Sequence, residues 1–339
     1  MSFKRLDSGD FVFDASSIAA FAWDDYTSSL TSFYTSSQQS LTYPQYYLDI
    51  YASNPNTSST SSITSDIQFS IAYGDSAGSG SFWYSPASPG LSPTRTVWGQ
   101  FVNLLLGEDE NASFNFGPNN SGYFFAIVIN RSCYKQSILP GSLQIGGLAP
   151  NGAYITDNSR ITSVVDYTPA GRRFTLGSGS FGNGVLLNNP SAIANGIYGY
   201  LYPDVGVIIL NPDSFSQTII EPEGDNPSVF VRGNNKNSNN PERLRYYLTQ
   251  LTLLSEETVS SNYIFCRARN SEFNYSLNPT FETSSFISSY NEFLQVPATY
   301  ITSVGLYNDN NELLAVAKLS KPLKKEFDTE ALVRVKLDF

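Results

Sequence analysis

The closing residues of the chain, from Tyr300 to Phe339, alternate between apolar and polar side chains with a period of two. This period is typical of β-strands, because successive side chains point to opposite faces of a sheet. The polar run Asn308-Asp309-Asn310-Asn311 divides the first two alternating stretches and predicts a hairpin turn. The inward positions are predicted to be Thr302, Val304 and Leu306, then Leu313, Ala315, Ala317 and Leu319, then Ala331, Val333, Val335, Leu337 and Phe339.

Further strands are predicted upstream from shorter apolar runs. They are residues 66–74, Tyr123–Ile129 (buried on both faces), 162–167, 172–176, Ile197–Tyr202, Val205–Leu210 and Tyr263–Arg269, with Ile264, Cys266 and Ala268 inward. Two stretches have helical spacing instead. The first predicted helix follows Pro93 and ends at Gly107, and its apolar stripe is Val97, Phe101, Leu104 and Leu105. The second begins at Asn240-Pro241, and its apolar stripe is Leu244, Tyr247, Leu248, Leu251 and Leu254. For Ser17–Phe21 the sequence leaves two interpretations, a short helix and a docking segment.

Ser and Thr tracts set the N-terminal region apart from the rest of the chain. Residues 27–40 and 57–65 bracket a tyrosine-rich block, so residues 1–92 are predicted to be an arm or a small interaction domain. The alternative is two surface loops around one strand. Residues 93–339 are predicted to be a β-rich body. The expected fold class is mainly β with two or three α-helices (α+β), with a β-sandwich-like body and an extended N-terminal arm.

Composition excludes several classes of function. The net charge is −10 at a pI near 4.5, which disfavours nucleic-acid binding through a basic face. The chain contains no histidine, so a Ser-His-Asp or Cys-His triad cannot be built from it. Cys133 and Cys266 are predicted to be buried free thiols. No signal-like or membrane-spanning apolar run is present, so a protein made without export and without membrane contact is expected.

Three patterns bear on possible chemistry. Gly177, Gly179 and Gly182 spell GxGxxG, but no helix fits after them, so a glycine-rich turn is expected rather than a cofactor site. The loop from Asn308 to Glu312 lacks the spacing of a Ca²⁺ loop, which favours a plain turn. Carboxylates cluster at Asp24-Asp25, at Glu108-Asp109-Glu110 and at Glu221/Glu223; solvated surface is the simpler interpretation, and an acid pair of a polysaccharide-degrading enzyme is the alternative. No catalytic residue, cofactor or metal is predicted.

Two sets of residues are candidates for contacts between subunits. The tyrosines Tyr43, Tyr46, Tyr47 and Tyr51 lie in the N-terminal block, and the lysines Lys318, Lys321, Lys324 and Lys325 form a basic run in an acidic chain. The lysines either protect a sheet edge or contact an acidic neighbour. The many aromatic residues either form cores and interfaces or offer a platform for sugars.

Several blocks of the sequence carry a resemblance. YITSVGLYNDNNELLAVAKLSKPLKK and VRVKLDF, with FFAIVINRSCYKQSILPGSLQI, GIYGYLYPDVGVIILNP and FCRARNSEFNYSLNPTF upstream, resemble virion structural proteins of tailed bacteriophages, especially large contractile-tailed phages of marine and cyanobacterial hosts. The pattern VGLY, a polar turn and LLAVA is similar to one near the start of many tail-fibre and tail-collar proteins. Here it lies in the closing residues, which favours a connector, baseplate or neck component over a distal fibre.

The resemblance implies a non-enzymatic virion subunit, most simply a tail or baseplate connector that binds other virion proteins in several symmetric copies. It implies assembly in the cytoplasm of the bacterial host. The alternatives are a receptor-binding tail module for host-surface glycans and a neck or collar component.

Overall fold

β-Strands are the main secondary structure of the computed structural model, which describes residues 4–23, 26–35, 47–54, 66–78, 93–107, 112–117, 122–149, 152–161, 165–179, 197–215, 240–275 and 298–338. The strands in these ranges are β1 (Phe11–Phe21), β2 (Ser29–Leu30), β3 (Tyr47–Tyr51), β4 (Ile67–Asp75), β5 (Tyr123–Ile129), β6 (Ser137–Ile138), β7 (Gln144–Gly146), β8 (Tyr154–Asp157), β9 (Asp166–Thr168), β10 (Gly171–Gly179), β11 (Gly199–Tyr202), β12 (Val207–Leu210), β13 (Gln250–Thr252), β14 (Leu254–Ala268), β15 (Ala298–Tyr307), β16 (Leu313–Glu326) and β17 (Ala331–Asp338). The α-helices are α1 (Thr94–Leu106) and α2 (Asn240–Tyr247). The mainly β class with two helices is therefore confirmed.

The chain divides into two compact units at positions other than residue 92. One unit is Ile18–Glu257, and the other combines Met1–Ser17 with Thr258–Phe339. β3 and β4, which belong to the predicted N-terminal arm, pair with each other, and β4 also pairs with β5 of the predicted body. The described part of residues 1–92 is therefore divided between two sheets, because β2, β3 and β4 complete the main sheet whereas β1 belongs to the sheet of β14 and β17. The Ser/Thr tracts at residues 36–40 and 57–65 lie outside the described residues.

The unit Ile18–Glu257 is built on one large antiparallel sheet with both faces buried. Its strand order is β2-β13-β7-β8-β10-β11-β12-β5-β4-β3, and β9 pairs with β10 at one side. Alternate residues of β5 show the two faces: Phe125 and Ile127 belong to one apolar core, and Phe124 and Ala126 belong to the other. β5 is therefore buried on both faces, as its continuous apolar run predicts.

Helix α1 covers the second of these cores. Val97, Val102 and Leu105 are buried within it, and the helix ends before Gly107, whose φ of +97° favours glycine. The predicted bounds agree with the structure. The predicted stripe was wrong at Leu104, which is 52% exposed, because Val102 rather than Leu104 lies on the buried side.

Helix α2 is shorter than its apolar spacing predicts. It begins at Asn240, as the capping pattern indicates, and buries Leu244 in the first core. It ends at Tyr247, and Leu251 lies instead in β13, opposite Ile145 of β7 and Leu30 of β2. Pairing on both sides of β13 therefore replaces the last turns of the expected helix.

The unit formed by residues 1–17 and 258–339 is a small two-layer β-sandwich. One layer contains β17 and the parts of β1 and β14 that belong to this unit, and the other is the β15–β16 hairpin. Ile264, Leu306 and Val335 form the buried centre between the layers, and Val304, Ala315, Ala317, Val333 and Leu337 pack around it. β17 pairs with β14 along eight positions and turns Ala331 and Val335 inward, as predicted.

Two local predictions differ from the structure. Ser17–Phe21, predicted as a helix or docking segment, is the end of strand β1. Gly177 and Gly179, predicted to lie in a turn, are inside β10, where they pair with Thr156 and Tyr154 of β8. Gly182 lies outside the described residues.

Candidate interaction surface

The β15–β16 hairpin has one buried face and one exposed face. Val304 faces Ala317, and Leu306 faces Ala315, on the side of the sandwich core. The intervening pairs therefore point outward, because neighbouring pairs alternate between faces. The exposed side chains of the hairpin, called the hairpin face below, include Tyr300, Tyr307, Leu313, Val316, Lys318 and Lys324. The predicted inward position of Leu313 was wrong, because the pairing register shifts between Leu306 and Tyr307 and leaves Leu313 53% exposed.

The tip of the hairpin is a turn held by Asn308. The Asn308 side-chain oxygen accepts hydrogen bonds from the backbone N–H groups of Asn310 and Glu312, at 3.0 and 2.8 Å. The Asn308 side-chain nitrogen donates to the Glu312 carboxylate at 2.6 Å, and Asn311 takes a φ of +62°. The predicted hairpin turn is confirmed. No group of three potential His, Cys, Asp or Glu metal ligands occurs in the part of the chain that the structure describes.

A bulge in β16 separates two parts of the hairpin face. Ser303 pairs with Lys318 and Ile301 pairs with Leu323, so four residues of β16, 319–322, stand against a single residue of β15. Pro322 fits this position, because proline cannot donate a hydrogen bond to a regular ladder. Lys321 lies in the same bulge and is exposed.

Three of the four candidate lysines are exposed, and they differ in their partners. Lys318 extends from the middle of the hairpin face. Lys324, next to Tyr300, makes an ion pair with Glu326, and the hydrogen bond to this carboxylate raises the pKa of Lys324. The hairpin face therefore places positive charge beside exposed tyrosine, leucine and valine side chains.

Lys325 is not part of this exposed surface, contrary to its grouping with the other lysines. Its side chain is 0% exposed. Its ammonium donates to the Asn270 carbonyl at 3.1 Å, to the Asn274 side-chain oxygen at 2.8 Å and to the Glu326 carbonyl at 2.7 Å. A buried ammonium needs such acceptors, because burying a charge without hydrogen bonds is costly. Lys325 thus joins the hairpin to residues 270–274 instead of contacting a neighbour.

The period of two contains a signal for this burial. Lys325 follows Leu323 by two residues and so shares its inward side of β16, whereas Lys324 alternates to the outside. The partner Asn274 has no comparable signal in the sequence, because it comes from a loop rather than from a periodic strand.

The candidate tyrosines lie in the other unit. Tyr47 is exposed at the start of β3, opposite Ala72. Tyr51 ends the strand, exchanges backbone hydrogen bonds with Tyr34 at 2.9 and 3.1 Å, and has a pKa raised by burial and then by the charge of Asp49. Tyr43 and Tyr46 lie outside the described residues. The described tyrosines therefore form part of a sheet margin.

A network around Arg172 engages two carboxylates of the unit Ile18–Glu257. The Arg172 guanidinium binds Asp204 through two hydrogen bonds of 3.0 and 2.7 Å and lies 3.4 Å from the Glu256 carboxylate. The hydrogen bond to Asp204 is the main cause that raises the pKa of Arg172. The arginine joins β10, the turn after β11 and the start of β14, which is a structural role. The predicted carboxylate clusters at residues 24–25, 108–110 and 221–223 lie outside the described residues.

No helix within the described ranges has the length and apolar character needed to cross a membrane. Both cysteines are free, as predicted, with Cys133 buried and Cys266 half-buried.

Comparison with known proteins found that no protein-family model, curated protein or solved structure matches the chain.

Proposed function

We propose that the chain is a non-enzymatic structural subunit of a tailed-bacteriophage virion, a tail or baseplate connector, and that it contacts neighbouring subunits through the hairpin face. The observation that carries this proposal is the combination of exposed apolar and basic side chains on the β15–β16 hairpin. Val316 is 62% exposed, Leu313 and Tyr300 are similarly exposed, and Lys318 and Lys324 stand among them.

This composition suits a surface that is covered in an assembly. Interfaces bury aromatic and aliphatic anchors at their centre and place charges at their rim. The chain has a net charge of −10, so neighbouring copies or proteins of similar acidity would be attracted to the lysines of the hairpin face. The lysines orient the approaching partner and raise the rate of association, and burial of the apolar side chains supplies the affinity.

The resemblance supports the same surface. The VGLY and LLAVA patterns, which carry the likeness to phage tail proteins, form the two strands of the hairpin. Tyr307, Leu313 and Val316 come from these patterns and lie on the hairpin face. Residues that carry the likeness to tail proteins are therefore also exposed residues of the candidate contact.

The function is tested by analysing purified virions of the phage that encodes the chain. Mass spectrometry is expected to find the protein at a stoichiometric copy number. Its absence from purified particles would overturn the proposed function. Binding of a host glycan by assembled particles, measured on a glycan array, would instead favour the receptor-binding tail module.

The role of the hairpin face is tested by charge reversal. The double variant Lys318→Glu/Lys324→Glu should fold and yet be lost from particles in a complementation experiment, because it replaces attraction by repulsion at an acidic partner. The matched control is Lys135→Glu, which reverses an exposed lysine of the other unit and should be incorporated normally. Normal incorporation of the double variant would show that the hairpin face is not the contact.

A further inference from the structure

Lys325 and Asn274 form a buried contact inside the sandwich of residues 1–17 and 258–339. Lys325 is 0% exposed and Asn274 is 7% exposed. The Lys325 Nζ lies 2.8 Å from the Asn274 Oδ1, although the two residues are 51 positions apart in the chain. The fold therefore holds a primary amine against a primary carboxamide at a place to which water has little access.

The groups that accept hydrogen bonds from the Lys325 amine are all neutral. They are the backbone carbonyls of Asn270 and Glu326 and the side-chain oxygen of Asn274. The Glu326 carboxylate forms its ion pair with Lys324 instead. A carboxylate partner would favour the charged ammonium, which is not a nucleophile, whereas neutral acceptors leave the amine able to react once it has lost one proton.

The Asn274 carboxamide is held in one orientation. Its Nδ2 donates to the Asn270 carbonyl at 2.5 Å, and its Oδ1 faces Lys325. The preceding residue, Phe273, has a φ of +53°, a left-handed conformation that is strained for a bulky side chain. The Phe273 carbonyl accepts a hydrogen bond from Thr299 Oγ1 of β15 at 2.7 Å. Contacts on both sides of the strained residue thus keep the carboxamide beside the amine.

The residues that lead to Asn274 are fixed by a second set of contacts. The Glu272 carboxylate accepts a hydrogen bond from the Arg269 backbone N–H at 2.9 Å and forms an ion pair with Lys4 at 2.7 Å. Two groups held next to each other before they react need no further ordering. Such preorganisation removes much of the entropic part of a reaction barrier.

We propose that Lys325 and Asn274 react with each other and form an isopeptide cross-link between β16 and the loop of residues 269–275. The nitrogen of the neutral Lys325 amine forms a bond to Asn274 Cγ, and the Cγ–Nδ2 bond breaks. Nδ2 leaves as ammonia with the proton that the amine gives up, so the step needs no oxidant, cofactor or further reactant. The hydrogen-bonded pair that the structure shows is the state before this reaction.

The intact mass of the full chain tests the cross-link without any substitution. Folded protein is incubated at mildly alkaline pH, because a lysine attacks only as the neutral amine. The chain is expected to become lighter by one ammonia, about 17 Da. Tandem mass spectrometry after trypsin should find the peptides that contain Asn274 and Lys325 joined through these side chains. The same chain unfolded in urea should not give the joined peptide. A folded chain without the joined peptide would overturn the proposal.

Replacing the nucleophile separates the cross-link from the other reaction that releases ammonia, the cyclisation of an asparagine with its own backbone. Lys325→Arg keeps a positive charge and N–H donors but has no primary amine, so ammonia loss at Asn274 should disappear. Lys318→Arg, on the exposed side of the same strand, is the matched control and should cross-link as the parent chain does. Ammonia loss at Asn274 that persists in Lys325→Arg would identify cyclisation and refute the cross-link. If Lys325→Arg does not fold, the joined peptide of the parent chain decides the question.

The cross-link does not depend on the proposed virion function. A protein that is absent from virions and still gives the joined peptide would refute the function alone. A protein found in virions without the joined peptide would refute the cross-link alone.

Discussion

Replacing Lys325 with methionine is expected to destabilise the sandwich of residues 1–17 and 258–339 by about 1–2 kcal/mol. The ammonium donates three hydrogen bonds, but two acceptors keep other donors. The Asn270 carbonyl also accepts from the Asn274 side chain at 2.5 Å, and the Glu326 carbonyl accepts from Thr329 at 3.3 Å. Only the Asn274 side-chain oxygen loses its donor, which costs roughly 1–3 kcal/mol for a buried group. Removing a buried charge returns part of this cost.

Alanine at the same position is expected to cost more, because it also removes the buried aliphatic stem. Three further methylenes are lost, at about 0.8 kcal/mol each, and a cavity is left behind. Lys325→Ala should therefore cost about 3–5 kcal/mol. Lys318→Met, on the exposed face of the same strand, is the control and should leave the free energy of unfolding essentially unchanged.

The assay must report on one unit at a time. Hydrogen exchange measured by mass spectrometry on peptides from residues 298–338 follows the hairpin and β17 directly. A loss of about 2 kcal/mol corresponds to roughly thirtyfold faster exchange of the most protected amides. The described tryptophans, Trp23 and Trp98, belong to the unit 18–257, so their fluorescence serves as an internal control. Equal exchange in Lys325→Met and Lys318→Met would refute the structural role of the buried ammonium.

Three further perturbations have defined outcomes. Deleting residues 331–339 removes the strand that pairs with β14 and exposes a new edge, so insoluble protein is expected; a soluble, cooperatively folded truncation in sedimentation and circular dichroism would contradict this. Leu105→Ala should lower the free energy of unfolding in urea by about 2–5 kcal/mol, whereas the exposed Leu104→Ala should change it little. Burial raises the pKa of Tyr202 well above its ordinary value of 10.0, so its hydroxyl stays protonated in the folded chain while it ionises in the unfolded chain. The free energy of unfolding should therefore fall as the pH rises above 10. Tyr202→Phe should make this fall with pH less steep in urea titrations at pH 9 to 11.

Elements whose order is local and periodic could be predicted from the sequence. The inward positions of β17 follow from alternation, because one face of the strand packs against the sandwich core and the other does not. The bounds of α1 follow from its spacing and from Gly107. These signals lie within a few residues of the element that they predict.

Elements that depend on distant partners could not be predicted in the same way. Ser17–Phe21 is rich in small residues and has no decisive period of its own; it is a strand because β14, more than 230 residues later in the chain, pairs with β1. Helix α2 ends early because β13 has partners on both sides. The division into two units likewise depends on long-range pairing. The change in composition near residue 92 carries no information about that pairing.

The same limit applies to the candidate site. A run of lysines indicates positive charge near one place in the chain, but the orientation of each side chain depends on its position in β16. The outward positions of Lys318 and Lys324 leave them available to a partner, whereas Lys325 turns inward to Asn274. Composition therefore located the basic surface, and the strand pairing decides which lysines belong to it.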